Sequence, residues 1–246
     1  MKTSAAVKAV VPRPVRHSLR RIAGIDDLHA RIDELEERLA ESRDDTWERS
    51  RTRWRDASPT DDLTWDTELT GDAFIEKVVE TGAFGPETDV LEIGPGYGRL
   101  LRSCLDAGLQ FRSYVGVDLS AENVAHLQEK FGSDTVSFVN ADIESIQLDS
   151  DVDLVISSLT LKHLYPSWER GLANVSSRLR PGGRLVIDLI EGERRWWEHD
   201  NATYIRSYSR EEVREILGRI GFTDVYFDEV THCPGRTRLL VVARAS

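Results

Sequence analysis

From residue 70 onward, short runs of apolar and often β-branched residues alternate with segments in which apolar residues recur every three or four positions. The first pattern is typical of buried strands and the second of amphipathic helices. A helix is predicted to open at Thr70, whose side chain suits an N-cap. Further on, strands are predicted near 88–93, 113–118, 135–140, 152–157, 183–190, 223–229 and 237–243, and helices near 98–107, 121–131, 167–179 and 210–220. This alternation predicts an α/β fold with a mostly parallel, doubly wound sheet and helices on both faces.

A different pattern precedes this region and predicts an N-terminal helical extension. Its apolar residues are spaced by three and four positions, with charged residues between them: Ile25, Leu28, Ile32, Leu35 and Leu39. A stripe of two heptads is too short to make a strong coiled coil by itself. Two interpretations stay open: residues 25–40 join two chains in a homodimer, or the stripe packs against the chain's own domain.

Charge divides the chain further. Residues 1–24 hold six basic and no acidic side chains, whereas the whole chain has a net charge of −11. The tail is predicted to be flexible, or to contact an anionic membrane surface or an acidic partner. The acidic remainder would repel a phosphate backbone, which excludes nucleic acid as a partner. The predicted organisation is a basic tail (1–24), a helical segment (25–57) and an α/β domain (58–246).

Composition adds two expectations. No run approaches the roughly 18 apolar residues that a membrane span needs, and prolines and arginines interrupt the N-terminal segment where a signal peptide would be apolar. A cytoplasmic location is therefore predicted. The two cysteines, Cys104 and Cys233, share no motif, so they are expected to be inert thiols rather than a disulfide or a zinc site.

The candidate chemistry begins where the first strand of this domain runs into Gly94, Gly96 and Gly98. Glycines let the backbone turn sharply and approach a ligand closely. The next strand ends in Asp118, placed to accept hydrogen bonds from ribose hydroxyls, although a helix N-cap is the alternative role and Ser120 suits that better. The third strand is followed by Asp142, a candidate partner for an adenine amino group, while Ile143 packs against the ring.

These motifs, in this order, resemble the class I S-adenosylmethionine (SAM)-dependent methyltransferase family over residues 70–246. The resemblance implies a Rossmann-like, seven-stranded sheet with an antiparallel last strand, SAM as the cofactor, and Glu92 near the methionine end. The cofactor-binding residues it implies are Glu92, Ile93, Gly94, Pro95, Gly96, Gly98, Asp118, Leu119, Asp142, Ile143 and Ser158.

Two other classes share parts of this pattern. An NAD(P)-binding oxidoreductase would also have the glycines and the ribose acid, but it favours G-x-G-x-x-G over the G-x-G-x-G spacing found here. A non-catalytic subunit with the same fold is disfavoured because the glycines and the acids are all present.

The acceptor side is expected beyond the fourth and fifth strands, since ligands of open α/β sheets bind at the carboxyl ends. His163 is the candidate general base for a hydroxyl acceptor, or a ligand of an assisting Mg²⁺, or a packing residue. Glu191 is a further candidate metal ligand. The candidate acceptor-binding residues, which could equally form a small satellite core, are Tyr165, Trp196, Trp197, Arg206 and Tyr208.

The arrangement is most similar to that of bacterial small-molecule O-methyltransferases, including those that act on saccharides. It implies a hydroxyl of a small molecule, such as a saccharide or glycoconjugate, as acceptor. A natural-product phenol, an amine and a quinone precursor are the alternatives. Lys162 departs from relatives with two successive histidines at this point, so a two-histidine site is not assumed.

Overall fold

The computed structural model describes residues 25–58, 69–148 and 150–246. The predicted basic tail, residues 1–24, lies outside this range. The chain divides into two units between Glu48 and Arg49. The predicted extension is one helix, α1, which spans Ile25–Arg55 and so reaches into the second unit. In the stripe on its first half, Ile32 and Leu35 are 50% and 55% exposed, and the homodimer through residues 25–40 stays a prediction.

The second unit contains the predicted alternation of strands and helices. After α1 the elements are α2 (Asp72–Glu80), β1 (Asp89–Ile93), α3 (Arg99–Asp106), β2 (Ser113–Asp118), α4 (Ala121–Phe131), β3 (Val136–Asn140), β4 (Val152–Ser157), a 3-10 helix (Leu161–His163), α5 (Glu169–Ser176), β5 (Leu179–Glu191), β6 (Arg195–Trp197), β7 (Tyr204–Tyr208), α6 (Arg210–Arg219), β8 (Phe222–Thr231) and β9 (Thr237–Ala245).

Seven of these strands form the predicted sheet in the order β3-β2-β1-β4-β5-β9-β8. β9 runs antiparallel to both β5 and β8, and the other pairings in this order are parallel. The mostly parallel sheet with an antiparallel last strand is thus confirmed, but β6 and β7 extend it to nine strands rather than the predicted seven. The chain reverses direction across the sheet between β1 and β4, so a crevice is expected beyond the carboxyl ends of these two strands.

Apolar residues cover both faces of the sheet, as a doubly wound fold requires. On one face α5 and α6 bury Leu172 and Val213 in one cluster. On the other face α2, α3 and α4 bury Phe74, Leu101 and Leu127 in a second cluster. Because the sheet is covered on both sides, its functional groups are confined to the strand ends and the loops that follow them.

Three details differ from the prediction. Gly71, not Thr70, holds the N-cap position of α2 and makes no side-chain cap. Instead Ser103 on α3 accepts a hydrogen bond from the Gly71 amide at 3.0 Å, a contact that only the folded chain provides. The helix predicted to end at residue 179 ends at Ser176, because Leu179 already pairs in β5.

The third difference is the hairpin of β6 and β7, a region in which the sequence pattern predicted no strands. β6 pairs antiparallel with β7, and β7 continues the main sheet by pairing with Ile190 and Glu191 at the end of β5. Its short strands depend on this tertiary pairing rather than on a local alternation of apolar and polar residues. The hairpin places Tyr204 beside the 3-10 helix.

Candidate active site

The loop after β1 adopts a backbone that suits glycine. Gly94, Gly96 and Gly98 have φ angles of +69°, +56° and +83°. A Cβ atom on Gly94 would lie 2.3 Å from Cγ2 of Thr160, and one on Gly98 would lie 2.7 Å from Cδ2 of Leu127. Gly94 and Gly98 are therefore required for two reasons: the backbone is left-handed at both positions, and neighbouring side chains leave no space for a Cβ atom.

Asp118, at the end of β2, faces this loop. Its carboxylate accepts hydrogen bonds from the amide of Gly96 at 3.0 Å and from the amide of Ser120 at 2.9 Å. Burial raises the pKa of Asp118, and these amide donors oppose that rise. Ser120 caps α4 by accepting from the Asn123 amide at 3.0 Å, so the cap is Ser120, as expected, and Asp118 is left for the cavity.

A cavity of about 650 Å³ opens beside Asp118. Its lining includes six of the residues that bear on cofactor binding: Ile93, Gly94, Asp118, Leu119, Asp142 and Ile143. The structure thus brings together side chains from three strand ends that the sequence predicted to meet.

Three residues from the C-terminal end of α1 complete this cavity: Ser50, Arg51 and Trp54. Arg51 Nε lies 2.7 Å from Asp142 Oδ2, and its Nη2 lies 2.6 Å from Glu144 Oε1. Sequence reasoning missed these residues, because a charged helix far along the chain gives no local signal of contact with a strand end. The Asp142 carboxylate therefore has a cationic partner that the sequence did not predict.

A second cavity, of about 600 Å³, shares Gly94, Thr160, Trp54 and His163 with the first. Its lining adds Pro95, Gly96, Tyr97 and Ser158. The shared residues make the two cavities neighbours along the crevice between β1 and β4.

Glu92 and Arg99 bring a carboxyl group and a guanidinium to the second cavity. Glu92 is buried and accepts a hydrogen bond from the Tyr114 hydroxyl at 2.5 Å. Burial raises the pKa of Glu92 to about 7, while Tyr114 and the Arg99 guanidinium oppose the rise. Arg99 donates to the Thr70 carbonyl oxygen at 2.9 Å and to Ser158 Oγ at 2.7 Å, which fixes its guanidinium.

His163 ends the 3-10 helix and lines both cavities. Its Nδ1 lies 2.8 Å from the carbonyl oxygen of Tyr204, and a carbonyl can only accept, so Nδ1 carries the proton. Burial holds the pKa of His163 well below its usual range, helped by the positive charge of Lys162. The ring is thus neutral near pH 7, with its lone pair on Nε2. The Trp54 ring packs against it at 4.3 Å between centroids.

The predicted acceptor-binding residues divide into two groups. Tyr165 and Trp197 meet Tyr204 in an aromatic cluster, with ring centroids 5.1 and 5.3 Å from Tyr204. The Arg49 guanidinium lies over the Trp197 ring, 4.0 Å from its centroid. Since Tyr204 also holds His163, this cluster adjoins the crevice.

Trp196, Arg206 and Tyr208 form the second group. None of the five predicted acceptor-binding residues is among the described residues that line either cavity. Tyr208 is fully buried against Trp168, the position of a core residue. Arg206 forms an ion pair with Glu212 and donates to the Pro166 carbonyl at 2.7 Å. Trp196 donates from Nε1 to Glu198 at 3.1 Å.

Two further observations concern metals and membranes. In the described ranges, no three His, Cys, Asp or Glu side chains come together as a metal site, and Glu191 is ion-paired with Arg210 at 2.7 Å. Assistance by Mg²⁺ stays a prediction. Across the same ranges, no helix is both long and apolar enough to cross a bilayer.

Comparison with known proteins assigns a class to this site. Residues 91–187 match the family model described as a methyltransferase domain. A phthiotriol/phenolphthiotriol dimycocerosates methyltransferase of Mycobacterium tuberculosis is 33% identical over 136 residues, which cover 54% of this chain and 50% of that protein. The hybrid PKS-NRPS synthetase pydA of an Acremonium species is 31% identical over 60% of this chain and 4% of its own length.

Solved structures share the fold. A Burkholderia thailandensis 1,6-didemethyltoxoflavin-N1-methyltransferase, bound to its substrate and S-adenosylhomocysteine (SAH), aligns with a TM-score of 0.61 at 24% identity, covering 89% of this chain and 90% of that chain. The glycopeptide N-methyltransferase MtfA with SAH aligns with a TM-score of 0.58 at 21% identity, covering 74% and 92%.

The methyltransferase domain match, the fold and the SAM- or SAH-bound neighbours together support a SAM-dependent methyltransferase, with SAM as its cofactor. They favour this class over an NAD(P)-binding oxidoreductase. The chain spans about half the length of the curated mycobacterial relatives it matches.

Proposed function

We propose that this protein transfers a methyl group from SAM to a hydroxyl group of a small molecule, with His163 as the general base. The observation that carries the proposal is the state of His163. This histidine is neutral, and its Nδ1 donates a hydrogen bond to the carbonyl oxygen of Tyr204. It lies where the two cavities meet. The first cavity suits the adenosine part of SAM, and the second suits its methionine part, which is a zwitterion.

The residues present fit the cofactor. Asp118 and Asp142 would hold the ribose and adenine ends in the first cavity, where Ile93 and Ile143 supply apolar surface. Glu92 and Arg99 would face the ammonium and carboxylate groups of the methionine end in the second cavity. A carboxylate and a guanidinium held in place by hydrogen bonds would bind the ammonium and carboxylate groups of a zwitterion more strongly than neutral side chains would.

SAM supplies a methyl group that its sulfonium already activates, so the protein mainly has to align the acceptor oxygen and exclude water. His163 Nε2 would take the proton of the acceptor hydroxyl as the methyl group is transferred, and would then release that proton to solvent. The reaction would yield a methyl ether and neutral SAH. The low pKa of His163 keeps Nε2 free to accept near neutral pH.

A saccharide or glycoconjugate is the proposed acceptor class, because the half-buried rings of Tyr165 and Trp197 pack against Tyr204, whose carbonyl oxygen holds His163, and aromatic rings beside a crevice can stack on a sugar. The mycobacterial relatives are named for triols, which also fits a hydroxyl acceptor. A phenol, an amine and a quinone precursor are the alternatives, and the solved neighbours named as N-methyltransferases make the amine worth testing.

Two measurements test the proposal. Calorimetry should show binding of SAM and SAH but not of NADH. A screen of saccharides, phenols, quinone precursors and amines with isotopically labelled SAM, with and without a chelator, should then identify the acceptor and any metal requirement. Binding of NADH instead of SAH would overturn the class, and methylation of amines alone would overturn the hydroxyl acceptor.

The role of His163 has its own test. His163→Gln should lower kcat about 10²- to 10⁴-fold while SAH affinity stays within about threefold, because the base acts only on the acceptor. His126→Gln, on α4, is the matched control and should leave kcat unchanged. Full activity of His163→Gln would remove this residue from the mechanism.

A further inference from the structure

A buried carboxylate on β5, which the proposed mechanism does not use, adjoins the second cavity. Asp188 lies near the carboxyl end of β5, and its side chain is 1% exposed. Its Oδ2 accepts a hydrogen bond from Ser158 Oγ at 2.5 Å, and its Oδ1 accepts one from the Leu159 amide at 2.8 Å. Ser158 and Leu159 both line the second cavity. Asp188 therefore holds the wall of that cavity where the chain leaves β4.

His232 is the third donor to this carboxylate. It lies in the turn between β8 and β9, and its Nε2 is 2.8 Å from Asp188 Oδ2. Burial raises the pKa of Asp188, but its three hydrogen-bond donors outweigh burial and hold that pKa below its usual range. Asp188 is thus ionised near neutral pH and can only accept, so His232 Nε2 carries a proton.

Packing alone does not explain a histidine at this position. The His232 side chain is 1% exposed, and its Nδ1 is buried without a hydrogen-bond partner among the residues that the structure describes. A buried polar atom without a partner lowers stability, and a buried ion pair adds little to stability compared with apolar side chains of similar size. The contact of His232 with Asp188 therefore calls for a role beyond stability.

The hydrogen bonds continue from Asp188 to a cation in the second cavity. A serine hydroxyl has one proton and a guanidinium has no acceptor, so Ser158 donates to Asp188 and accepts from Arg99. Arg99 Nη2 lies 2.7 Å from Ser158 Oγ, and Arg99 Nη1 lies 2.9 Å from the carbonyl oxygen of Thr70. One of the two contacts that orient the Arg99 guanidinium therefore depends on Asp188.

The same carboxylate stabilises a strained turn. Leu159 has a φ of +62°, a left-handed conformation that is unfavourable for residues other than glycine. From this conformation its amide reaches Asp188, and the next residue, Thr160, donates to the carbonyl oxygen of Gly94 at 3.1 Å. Strained residues of this kind persist where surrounding contacts hold them, and they cluster at functional sites. Asp188 thus also supports the contact between this turn and the glycine loop.

We propose that Asp188 and His232 are positioning residues for the methionine end of SAM, and that they act through Ser158 on the Arg99 guanidinium. This assignment rests on the proposed function, in which Arg99 faces the methionine carboxylate. A guanidinium that is oriented before the ligand arrives binds a carboxylate more tightly than a free one, because less conformational entropy is lost on binding.

The proposal predicts discrimination between two parts of the cofactor. Neither Asp188 nor His232 is among the described residues that line the first cavity, which suits adenosine. Removing their contacts should therefore weaken recognition of the methionine end and leave recognition of the adenosine end nearly intact. Neither residue belongs to a sequence motif, which is why sequence reasoning did not find this pair.

The test compares two ligands of the full-length protein by calorimetry. One is SAH, and the other is methylthioadenosine, which has the adenosine and thioether groups but no amino acid end. Asp188→Asn should lower SAH affinity about tenfold or more, because in either orientation its amide NH2 group faces one of the donors that the carboxylate accepts. Affinity for methylthioadenosine should stay within about threefold, which a general loss of structure would not allow.

His232 offers a conservative and a disruptive variant. His232→Gln keeps a donor near the position of Nε2 and should bind SAH within about threefold of the unmodified protein. His232→Leu removes the donor from a buried carboxylate and should bind SAH about tenfold more weakly, with methylthioadenosine again within about threefold. If Asp188→Asn fails to fold, this pair decides, and equal SAH affinity of the two variants overturns the proposal.

Asp89 provides the matched control for a structural carboxylate. It begins β1 at the opposite end of the sheet and accepts hydrogen bonds from Arg112 at 2.9 Å and from Ser113 at 2.7 Å. Asp89→Asn should lower the unfolding temperature but leave the affinities for SAH and methylthioadenosine unchanged.

A double-mutant cycle tests whether Asp188 acts through Arg99. In an Arg99→Met background, Asp188→Asn should change SAH affinity less than about threefold, because the guanidinium that it positions is absent. The proposal is overturned if Asp188→Asn binds SAH as well as Asp89→Asn does, if it loses affinity for both ligands equally, or if its effect on SAH affinity is the same without Arg99. Failure of the unmodified protein to bind SAH would refute the proposed function instead.

Discussion

Glu92 is a single side chain whose charge depends on what occupies the crevice. In the ligand-free protein burial raises the pKa of Glu92 to about 7, so half of the molecules are protonated there near neutral pH. A bound methionine ammonium would favour the carboxylate and lower that pKa. Binding and proton release are therefore coupled at this residue.

The affinity of the protein for SAH should consequently rise with pH up to about 7 and then level off. Below pH 7 each molecule that binds must first lose the Glu92 proton, so the affinity should fall by up to tenfold per pH unit. Calorimetry between pH 5.5 and 8, in buffers of different ionisation enthalpy, measures both the affinity and the proton released. Glu92→Gln should bind SAH weakly and without this pH dependence. Identical slopes for the two proteins would contradict the proposed contact.

The same residue should weaken the ligand-free fold. Burial raises the folded-state pKa of Glu92 from the ordinary 4.5 of a glutamate to about 7, so the stabilisation that the protonated form provides is complete below about pH 4.5 and is lost as the pH rises through about 7. Glu92→Gln should therefore match the unmodified protein near pH 4.5 and exceed it at pH 8 by on the order of 1–3 kcal/mol. Urea unfolding at the two pH values measures this difference. Glu76→Gln, at an exposed position on α2, is the control. If Glu92→Gln raised the free energy of unfolding equally at pH 8 and at pH 4.5, the raised pKa of Glu92 would be contradicted.

At the scale of elements, the glycine loop depends on its contact with the chain after β4. Gly94→Ala combines a φ of +69° with a Cβ atom 2.3 Å from Thr160, so it should lower SAH affinity more than tenfold and destabilise the fold by about 1–3 kcal/mol or more. Gly82→Ala is the matched control, since Gly82 has a φ of +68° and no atom within 4 Å of its Cβ position. Gly82→Ala therefore imposes a similar backbone strain without a steric clash. Equal losses of SAH affinity in the two variants would show that the contact of residue 94 with Thr160 is unimportant.

The end of α1 should control how fast the cofactor exchanges. Arg51 joins this helix to Asp142 and Glu144 through two short ion pairs, which hold Ser50 and Trp54 at the first cavity. Arg51→Met should speed SAH dissociation tenfold or more, because breaking a buried pair is costly. Arg55→Met, an exposed change at the end of the same helix, should leave the rate near that of the unmodified protein. Stopped-flow displacement of SAH measures both rates, and equal rates would exclude a role for the Arg51 ion pairs.

Sequence reasoning succeeded for elements whose signals are local. β1, β2 and β4 are largely buried strands rich in apolar residues, and β3 buries alternate residues. Asp118 ends β2 and Asp142 follows β3 by two residues, so both acids could be read directly from the chain. The signals were absent where an element depends on tertiary pairing. The β6–β7 hairpin is an example, and so is the contact of Arg51 with Asp142, which lies 91 residues away. Burial likewise decided the state of His163, which periodicity cannot show.

At the scale of the whole molecule, the crevice between β1 and β4 collects groups from widely separated parts of the chain. The lining of its first cavity runs from Ser50, near the start of the second unit, to Leu164 in its middle. All of these residues lie in the unit from Arg49 to Ser246. The first cavity therefore includes residues of α1 that precede residue 58, the predicted start of the α/β domain.

Two truncations should show whether the C-terminal end of α1 contributes to cofactor binding. A protein that begins at Arg49 retains Ser50, Arg51 and Trp54 and should bind SAH within about threefold of the full chain. One that begins at residue 58 loses these three lining residues and should bind at least tenfold more weakly, because the adenosine cavity loses one wall. Calorimetry measures both affinities. Measuring mass in solution for the full chain and the Arg49 truncation then tests the stripe, because a homodimer through residues 25–40 should become a monomer. Equal SAH affinity for the two truncations would show that α1 plays no part in holding the cofactor.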